Sequence, residues 1–244
     1  FFFLLNTLEQ GILNVLGVEQ FDPLLGGYST YTGTIVVHQG FGAVLMLVLF
    51  GLWRTRGHLR QVFKKAFGRG PEVDQIADDD EILSYRAAVL LLLGSLTFVG
   101  VWLWQSGLPG WITPIYLFFA FVLFLGITRV VAEGGLPAMR PPVMTSTFVI
   151  SAAGSNALGV SGLVGRGVSY GWHSEIRSFV MSSVANGLKM TEVLVGSKRR
   201  LFWAVVIAVL FSLVGSSWMT MELAYKYGGI NLNPLFFGWG AATY

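Results

Sequence analysis

The chain has 244 residues, of which 54% are hydrophobic and only 12% are charged. Soluble domains carry about 25% charged residues, so this composition excludes an ordinary soluble protein and indicates one that resides in a lipid bilayer. The formal net charge of +3 does not indicate a nucleic-acid partner, because the basic residues cluster beside apolar segments. The lack of cysteine in this chain excludes disulfides, thiolate metal sites and a cysteine nucleophile from it.

The first segment, residues 1-32, is expected to be an amino-terminal interfacial segment or the end of a truncated span. It starts with an apolar run, Phe1 to Leu5, and lacks the basic region that opens a signal peptide. Residues 33-244 are predicted to form a transmembrane helical domain with a cytoplasmic loop at 54-84.

Four apolar stretches are long enough to cross a bilayer, which takes about 20 residues in a helix. They are residues 33–53, 85–105, 111–128 and 201–221. The sequence Ser-Gly-Leu-Pro-Gly at 106–110 is typical of a tight turn, so the second and third stretches are predicted to form a hairpin.

The basic residues are distributed asymmetrically along the chain. If the spans are crossed in order, twelve of the sixteen fall on one side of the membrane. The positive-inside rule makes that side cytoplasmic and therefore predicts that the loops 54-84 and 196-200 are cytoplasmic.

The first of these loops contains two distinct patterns. Leu59, Val62, Phe63 and Phe67 recur at near-helical spacing among basic residues, which is typical of a short helix that lies on an anionic leaflet. The four acids at 78–81 are expected to form a solvated linker that caps the next helix. A divalent-cation site is the alternative for these acids, but their spacing does not match a calcium loop.

The third apolar stretch ends in an ionisable pair. Arg129 and Glu133 are four residues apart and therefore share a helix face. Gly134, Gly135 and Pro137 follow and are expected to end the helix. The pair indicates either a polar pathway or an interfacial salt bridge that fixes the depth of the helix, and the sequence leaves both open.

Residues 141–165 carry no charge but are interrupted by Gly154, Gly159 and Gly162. Small residues allow close packing of helices, and they also allow the broken helices that form binding sites in secondary transporters. Both flanks are predicted to be cytoplasmic, so the chain must cross an even number of times in between. The expected fold is an all-α polytopic transmembrane bundle with about six crossings, including an interrupted or re-entrant helix pair.

Three segments of the sequence carry a family resemblance. They are residues 80–86 (Asp-Glu-Ile-Leu-Ser-Tyr-Arg), 129–137 (Arg-Val-Val-Ala-Glu-Gly-Gly-Leu-Pro) and 225–233 (Tyr-Lys-Tyr-Gly-Gly-Ile-Asn-Leu-Asn). From about His38 onward, the chain resembles a group of uncharacterised prokaryotic polytopic membrane proteins that is similar to the oligopeptide transporter superfamily. The resemblance implies the carboxy-terminal half of a longer multi-pass protein of a prokaryotic inner membrane, and it implies transport.

Two functions follow as hypotheses. The first is part of a secondary transporter for a small polar or peptide-like solute, and the second is a non-catalytic structural subunit of a larger membrane complex, with the bilayer and partner membrane subunits as its contacts. No enzyme motif is present and the three histidines are far apart, so no catalytic residue, metal or cofactor is predicted. The predicted solute pathway comprises Arg129, Glu133, Asn156, His173, Glu175, Arg177 and Asn186.

Overall fold

A computed structural model describes residues 2–17, 34–70, 76–78, 81–136, 139, 141–173, 180–191 and 199–229 of the chain. These residues form α-helices, and no strand occurs among them. In chain order the helices are α1 (Phe2–Val15), α2 (Thr34–Arg54), α3 (Arg56–Phe67), α4 (Tyr85–Gln105), α5 (Ile112–Gly134), α6 (Thr145–Ala153), α7 (Ser155–His173), α8 (Val180–Thr191) and α9 (Arg199–Tyr227).

Four of the described helices are long and apolar enough to cross a membrane. They are α2 from Val37 to Arg54, α4, α5 and α9. At about 1.5 Å per residue, lengths of 18 to 29 residues match or approach the thickness of a bilayer core. The four spans predicted from apolar length are therefore confirmed, while the total of six crossings stays a prediction.

The chain divides into two compact units, Phe1–Leu59 with Leu92–Thr191 and Arg60–Leu91 with Glu192–Tyr244. In the first unit, α5 is the central helix, because it packs against α2, α6 and α8. Its buried side chains join three apolar clusters along its length, one of them centred on Tyr116, one on Leu123 and one on Ile127. The position of α5 determines where its carboxy-terminal end, and the polar residues there, are placed.

The turn between α4 and α5 packs directly against the backbone of α7. A Cβ atom on Gly107 would lie 2.7 Å from the carbonyl oxygen of Ser161, and one on Gly165 would lie 2.6 Å from the amide nitrogen of Leu108. Such distances admit only glycine, since neither backbone atom can move away without shifting a helix or the turn. The tight turn predicted at 106–110 is thus confirmed, and part of the glycine content of α7 serves close packing.

A buried hydroxyl pair reinforces this contact. Tyr116 on α5 donates a hydrogen bond of 3.1 Å to Ser169 on α7, and Ser169 donates one of 2.6 Å to the carbonyl of Arg166. Tyr116 and Ser169 are each 1% exposed, so both hydroxyls find partners inside the protein instead of in water.

Two other glycines interrupt the helices. Gly154 separates α6 from α7 with φ of 82° and ψ of 147°, and Gly159 breaks the helical path within α7 with φ of 65° and ψ of 179°. A Cβ atom would meet nothing within 4 Å at either position. These glycines therefore permit left-handed φ values, in contrast to Gly165, which permits a close approach. With only nine residues, α6 is about 14 Å long and too short to cross a bilayer alone.

In the second unit, three charged side chains fasten the end of α3 to the start of α4. Lys65 contacts the Asp78 carboxylate at 2.9 Å, and Asp78 also accepts a 3.1 Å hydrogen bond from the amide of Tyr85. Arg86 donates to the carbonyls of Lys65 and Gly68, at 3.0 and 3.1 Å. We call Lys65, Asp78 and Arg86 the α3–α4 clamp. It confirms that Asp78 caps the following helix, but the prediction of a solvated linker is wrong for Asp78, which is buried against Lys65. Asp79 and Asp80 lie outside the described residues.

The hydrogen bond from Lys65 holds the pKa of Asp78 below its ordinary value of 3.8, and the amide of Tyr85 adds to this effect against the opposing effect of burial. A carboxyl group whose pKa is lower in the folded state stabilises that state above its unfolded pKa. This stability is lost as the pH falls through the folded value. The clamp is therefore fully formed at neutral pH and weakens below about pH 4.

Gly165→Ala is expected to destabilise the protein by about 1–3 kcal/mol, since the added methyl group meets the backbone of Leu108. The measurement is the thermal unfolding midpoint of the purified chain in detergent. Gly167→Ala is the matched control on the same helix, because a Cβ atom there has nothing within 4 Å. Equal midpoints for the two variants would contradict the contact between the turn and α7.

Asp78→Asn is expected to lower the unfolding midpoint at pH 6, because the amide can no longer pair as a carboxylate with Lys65. The difference from the wild type should shrink as the pH falls below about 4, because Asp78 then takes up a proton more readily in the unfolded wild type than in the folded one and the stabilisation by the clamp is lost. Thermal unfolding measured from pH 6 to pH 3 tests this. Glu81→Gln removes an exposed carboxylate from the same loop and should change the midpoint at pH 6 little. A pH-independent difference between Asp78→Asn and the wild type would refute the clamp.

Candidate functional site

The backbone at the end of α5 determines how the polar side chains there are arranged. Gly135 adopts a left-handed conformation, with φ of 63° and ψ of 26°, and the amides of Gly135 and Leu136 both point to the carbonyl of Val131. This turn confirms the predicted helix end. The carbonyls that follow Val131 need donors from elsewhere in the chain.

Helix α8 supplies these donors. Lys189 Nζ donates a hydrogen bond of 2.8 Å to the carbonyl of Ala132, and Asn186 Nδ2 donates one of 3.0 Å to the carbonyl of Leu136. Asn186 and Lys189 are three residues apart and share one face of α8. The packing of α8 on α5 thus ends in two side-chain caps.

The ion pair predicted from the spacing of Arg129 and Glu133 is present. Arg129 Nε lies 2.7 Å from Glu133 Oε1, and Arg129 Nη1 also donates to the carbonyl of Leu47 on α2 at 3.4 Å. Gly51 lies beneath the guanidinium group, since a Cβ atom there would overlap with Arg129 Nη1. The side chains of Arg129 and Glu133 are 33% and 63% exposed, so the carboxylate is the more accessible member of the pair.

The electrostatics of this helix end favour cations. The last turn of a helix carries a partial negative charge, and Glu133 adds a full one to it, which is an unfavourable position for a carboxylate. Arg129 and Lys189 offset this charge from two sides, one along α5 and one from α8. We call Arg129, Glu133, Asn186 and Lys189 the α5 end cluster. It combines two cations, one accessible carboxylate and one amide.

The structure accounts for the predicted pathway residues unequally. Arg129, Glu133 and Asn186 are brought together in the α5 end cluster. Asn156 is exposed at the start of α7. His173 is the last residue of α7, its side chain is outside the described part, and Glu175 and Arg177 lie outside the described residues altogether.

Two residues of the site were not predicted. They are Lys189 and Gly51, neither of which belongs to the predicted pathway. Lys189 could have been found from its spacing, because it lies three residues after Asn186 and therefore on the same helix face. The signal for Gly51 was weaker. It is a glycine among bulky residues near the end of a span, where a large side chain from another helix can be accommodated.

The described residues contain no group of three or more His, Asp or Glu side chains that could hold a metal ion. One buried hydroxyl near the cluster is unusual. The Oγ1 atom of Thr128, the residue before Arg129, is buried and makes no hydrogen bond within the described part of the chain. An unsatisfied buried hydroxyl costs about 1–3 kcal/mol, so a water molecule or a polar ligand would be favoured beside it.

Four apolar helices of membrane length, joined to short broken helices and a polar helix end, define a membrane-embedded all-helical protein. The chain belongs to DUF6785, a family of unknown function, whose match covers residues 1–244. No curated protein matches the chain, and no solved structure does. The family membership therefore assigns no activity, and the α5 end cluster carries the functional argument.

Lys189→Met is expected to lower the unfolding midpoint by an amount equivalent to about 0.5–1 kcal/mol, because it removes a donor from the exposed carbonyl of Ala132 and a cation from the negative end of α5. Thermal unfolding in detergent is the measurement. Lys226→Met, which removes an exposed cation near the end of α9, is the control and should have a smaller effect. If both variants unfold at the same temperature, Lys189 does not cap α5.

Proposed function

We propose that this chain forms part of a secondary transporter for a small polar or peptide-like solute. The observation that carries the proposal is the α5 end cluster, which places two cations, an accessible carboxylate and an amide at the end of the most buried of the four membrane-length helices. Ionisable residues within membrane spans are costly and commonly mark a polar pathway, and Arg129 and Glu133 lie within the apolar span that ends at Gly134.

The broken helices that follow the cluster support the same proposal. In secondary transporters, discontinuous helices form solute sites because their free backbone groups can face a polar ligand instead of lipid. The breaks at Gly154 and Gly159 come soon after α5 in the chain. The residues around them are largely exposed, which leaves backbone accessible there.

The charges of the cluster favour a solute that carries both signs. An amino acid or short peptide has an ammonium group that complements Glu133 and a carboxylate that complements Arg129 or Lys189. The wider pathway in this proposal also includes Asn156, His173, Glu175 and Arg177, and the proposed activity needs no covalent step, metal or cofactor.

The remaining features of the proposal concern topology. The broken helices would supply two further crossings, which brings the total to about six, and the loops 54-84 and 196-200 would face the cytoplasm of a prokaryote across its inner membrane. The relationship to the oligopeptide transporter superfamily belongs to the same proposal.

Glu133→Gln is expected to reduce solute-dependent transport about tenfold or more, since the amide cannot form the charge-assisted contact with an ammonium group. The measurement is the current on a solid-supported membrane coated with proteoliposomes of the purified full chain, with amino acids, dipeptides and tripeptides as test solutes. Glu222→Gln, which neutralises an exposed carboxylate on α9, is the control and should leave the current unchanged. The absence of a current with every solute, or full activity of Glu133→Gln, would refute the proposal.

A structural subunit of a larger membrane complex is the second proposal, and an exposed stripe on α7 favours it. Val160, Val164 and Val168 recur every four residues and are exposed, opposite the stripe that packs on the turn at 106–110. Such an apolar face suits a partner helix as well as lipid. Native mass spectrometry of the protein extracted from its own membrane tests this proposal, because a subunit should retain a partner at constant stoichiometry and a free transporter should not.

A further inference from the structure

Helix α3 and its flanks form the most basic stretch of the chain. Between residues 54 and 70 there are six basic residues and no acidic one. They are Arg54, Arg56, Arg60, Lys64, Lys65 and Arg69. Lys65 is held by Asp78 and has a side chain only 16% exposed, whereas the other five are exposed. The stretch therefore presents a strongly positive surface.

The α3–α4 clamp fixes the depth of this surface relative to the membrane. Arg86 is the second residue of α4, which is long and apolar enough to span a bilayer, and it holds the carbonyls of Lys65 and Gly68. The carboxy-terminal end of α3 must therefore lie beside the first turn of α4. That turn is where the apolar span begins, so the end of α3 lies at the level of the lipid headgroups.

The same part of α3 also exposes aromatic rings. Phe63 and Phe67 are 47% and 61% exposed, and their rings stack with centroids 6.4 Å apart and an interplanar angle of 7°. On a helical wheel, the direction of Arg60 differs from that of each ring by less than the rotation of about 100° between successive residues, and Lys64 lies on the same side. Val62, Lys65 and Ala66, on the opposite side, are the more buried residues of the helix. The outward face thus combines aromatic rings with basic side chains.

We propose that this outward face of α3, formed by Arg60, Phe63, Lys64 and Phe67, binds anionic phospholipids at the membrane surface. The rings insert at the boundary between headgroups and acyl chains, and the basic side chains pair with the lipid phosphates. Charge complementarity and the depth set by the clamp select an anionic lipid as the partner. An acidic soluble protein would pair with the charges but would leave the two phenyl rings in water.

Site-directed labelling tests the proposal cleanly, because the chain has no cysteine and a single introduced cysteine provides the one labelling site. The full chain with Phe67→Cys is labelled with a bimane fluorophore and reconstituted in phosphatidylcholine vesicles. A small fraction of either phosphatidylglycerol or phosphatidylcholine, brominated near the headgroup, is then added as a quencher. Ser217→Cys, at an exposed position within α9, is the control label and should be quenched equally by both lipids.

Brominated phosphatidylglycerol is expected to quench the label at position 67 more than brominated phosphatidylcholine at equal mole fraction. Arg60→Gln and Lys64→Gln should each reduce this preference about fivefold, since one basic residue near an anionic surface contributes about that factor. Lys226→Gln removes one charge from a distant part of the chain and should preserve the preference. Equal quenching by the two lipids, no quenching by either, or the same loss in Lys226→Gln would overturn the proposal.

Discussion

The backbone carbonyl groups at the end of α5 need hydrogen-bond donors, although the helix lies in or near an apolar medium. The arrangement of the first unit around that helix end depends on this requirement. Water satisfies the free carbonyls of a helix in a soluble protein, but none is available in the apolar core of a bilayer. In this chain the left-handed turn at Gly135 serves one carbonyl, and α8 serves two more through Asn186 and Lys189. The need for capping therefore brings α8 to α5 and gathers charged groups that can also meet a solute. A structural role and a functional role for these side chains are compatible, because Lys189 and Asn186 bond to the backbone while much of Glu133 stays exposed.

Glycine has two separate physical uses in the helices that follow. Gly165 allows the backbone of α7 to approach the turn at Leu108, where any side chain would collide. Gly154 and Gly159 touch no neighbour and instead adopt φ values that other residues avoid. Close packing and helix breaking were alternative explanations for the glycine content of residues 141–165, and the structure shows both, at different positions. The packed glycines hold α7 in place, and the helix-breaking glycines change the direction of the chain.

Much of the local structure could be predicted because it depends on local physics. The four spans follow from apolar length, the turn at 106–110 from its glycines and proline, and the pairing of Arg129 with Glu133 from the helical repeat. The contacts of Lys189 with Ala132 and of Arg86 with Gly68 could not be predicted in this way. Their partners are backbone carbonyls, which every residue possesses, so the sequence does not mark which of them a distant side chain will reach. Only the three-dimensional path of the chain decides it.

The contact between the turn and α7 also has a consequence for biogenesis. The surface on which Gly165 rests is formed by the backbone of Gly107 and Leu108, and this surface exists only once the turn between α4 and α5 has formed. The two helices precede α7 in the chain, so a ribosome delivers them to the membrane first. The formed turn can then act as a template on which the glycine-broken α7 packs as it emerges. The packed position of α7 would thus depend on a turn that the ribosome has already delivered.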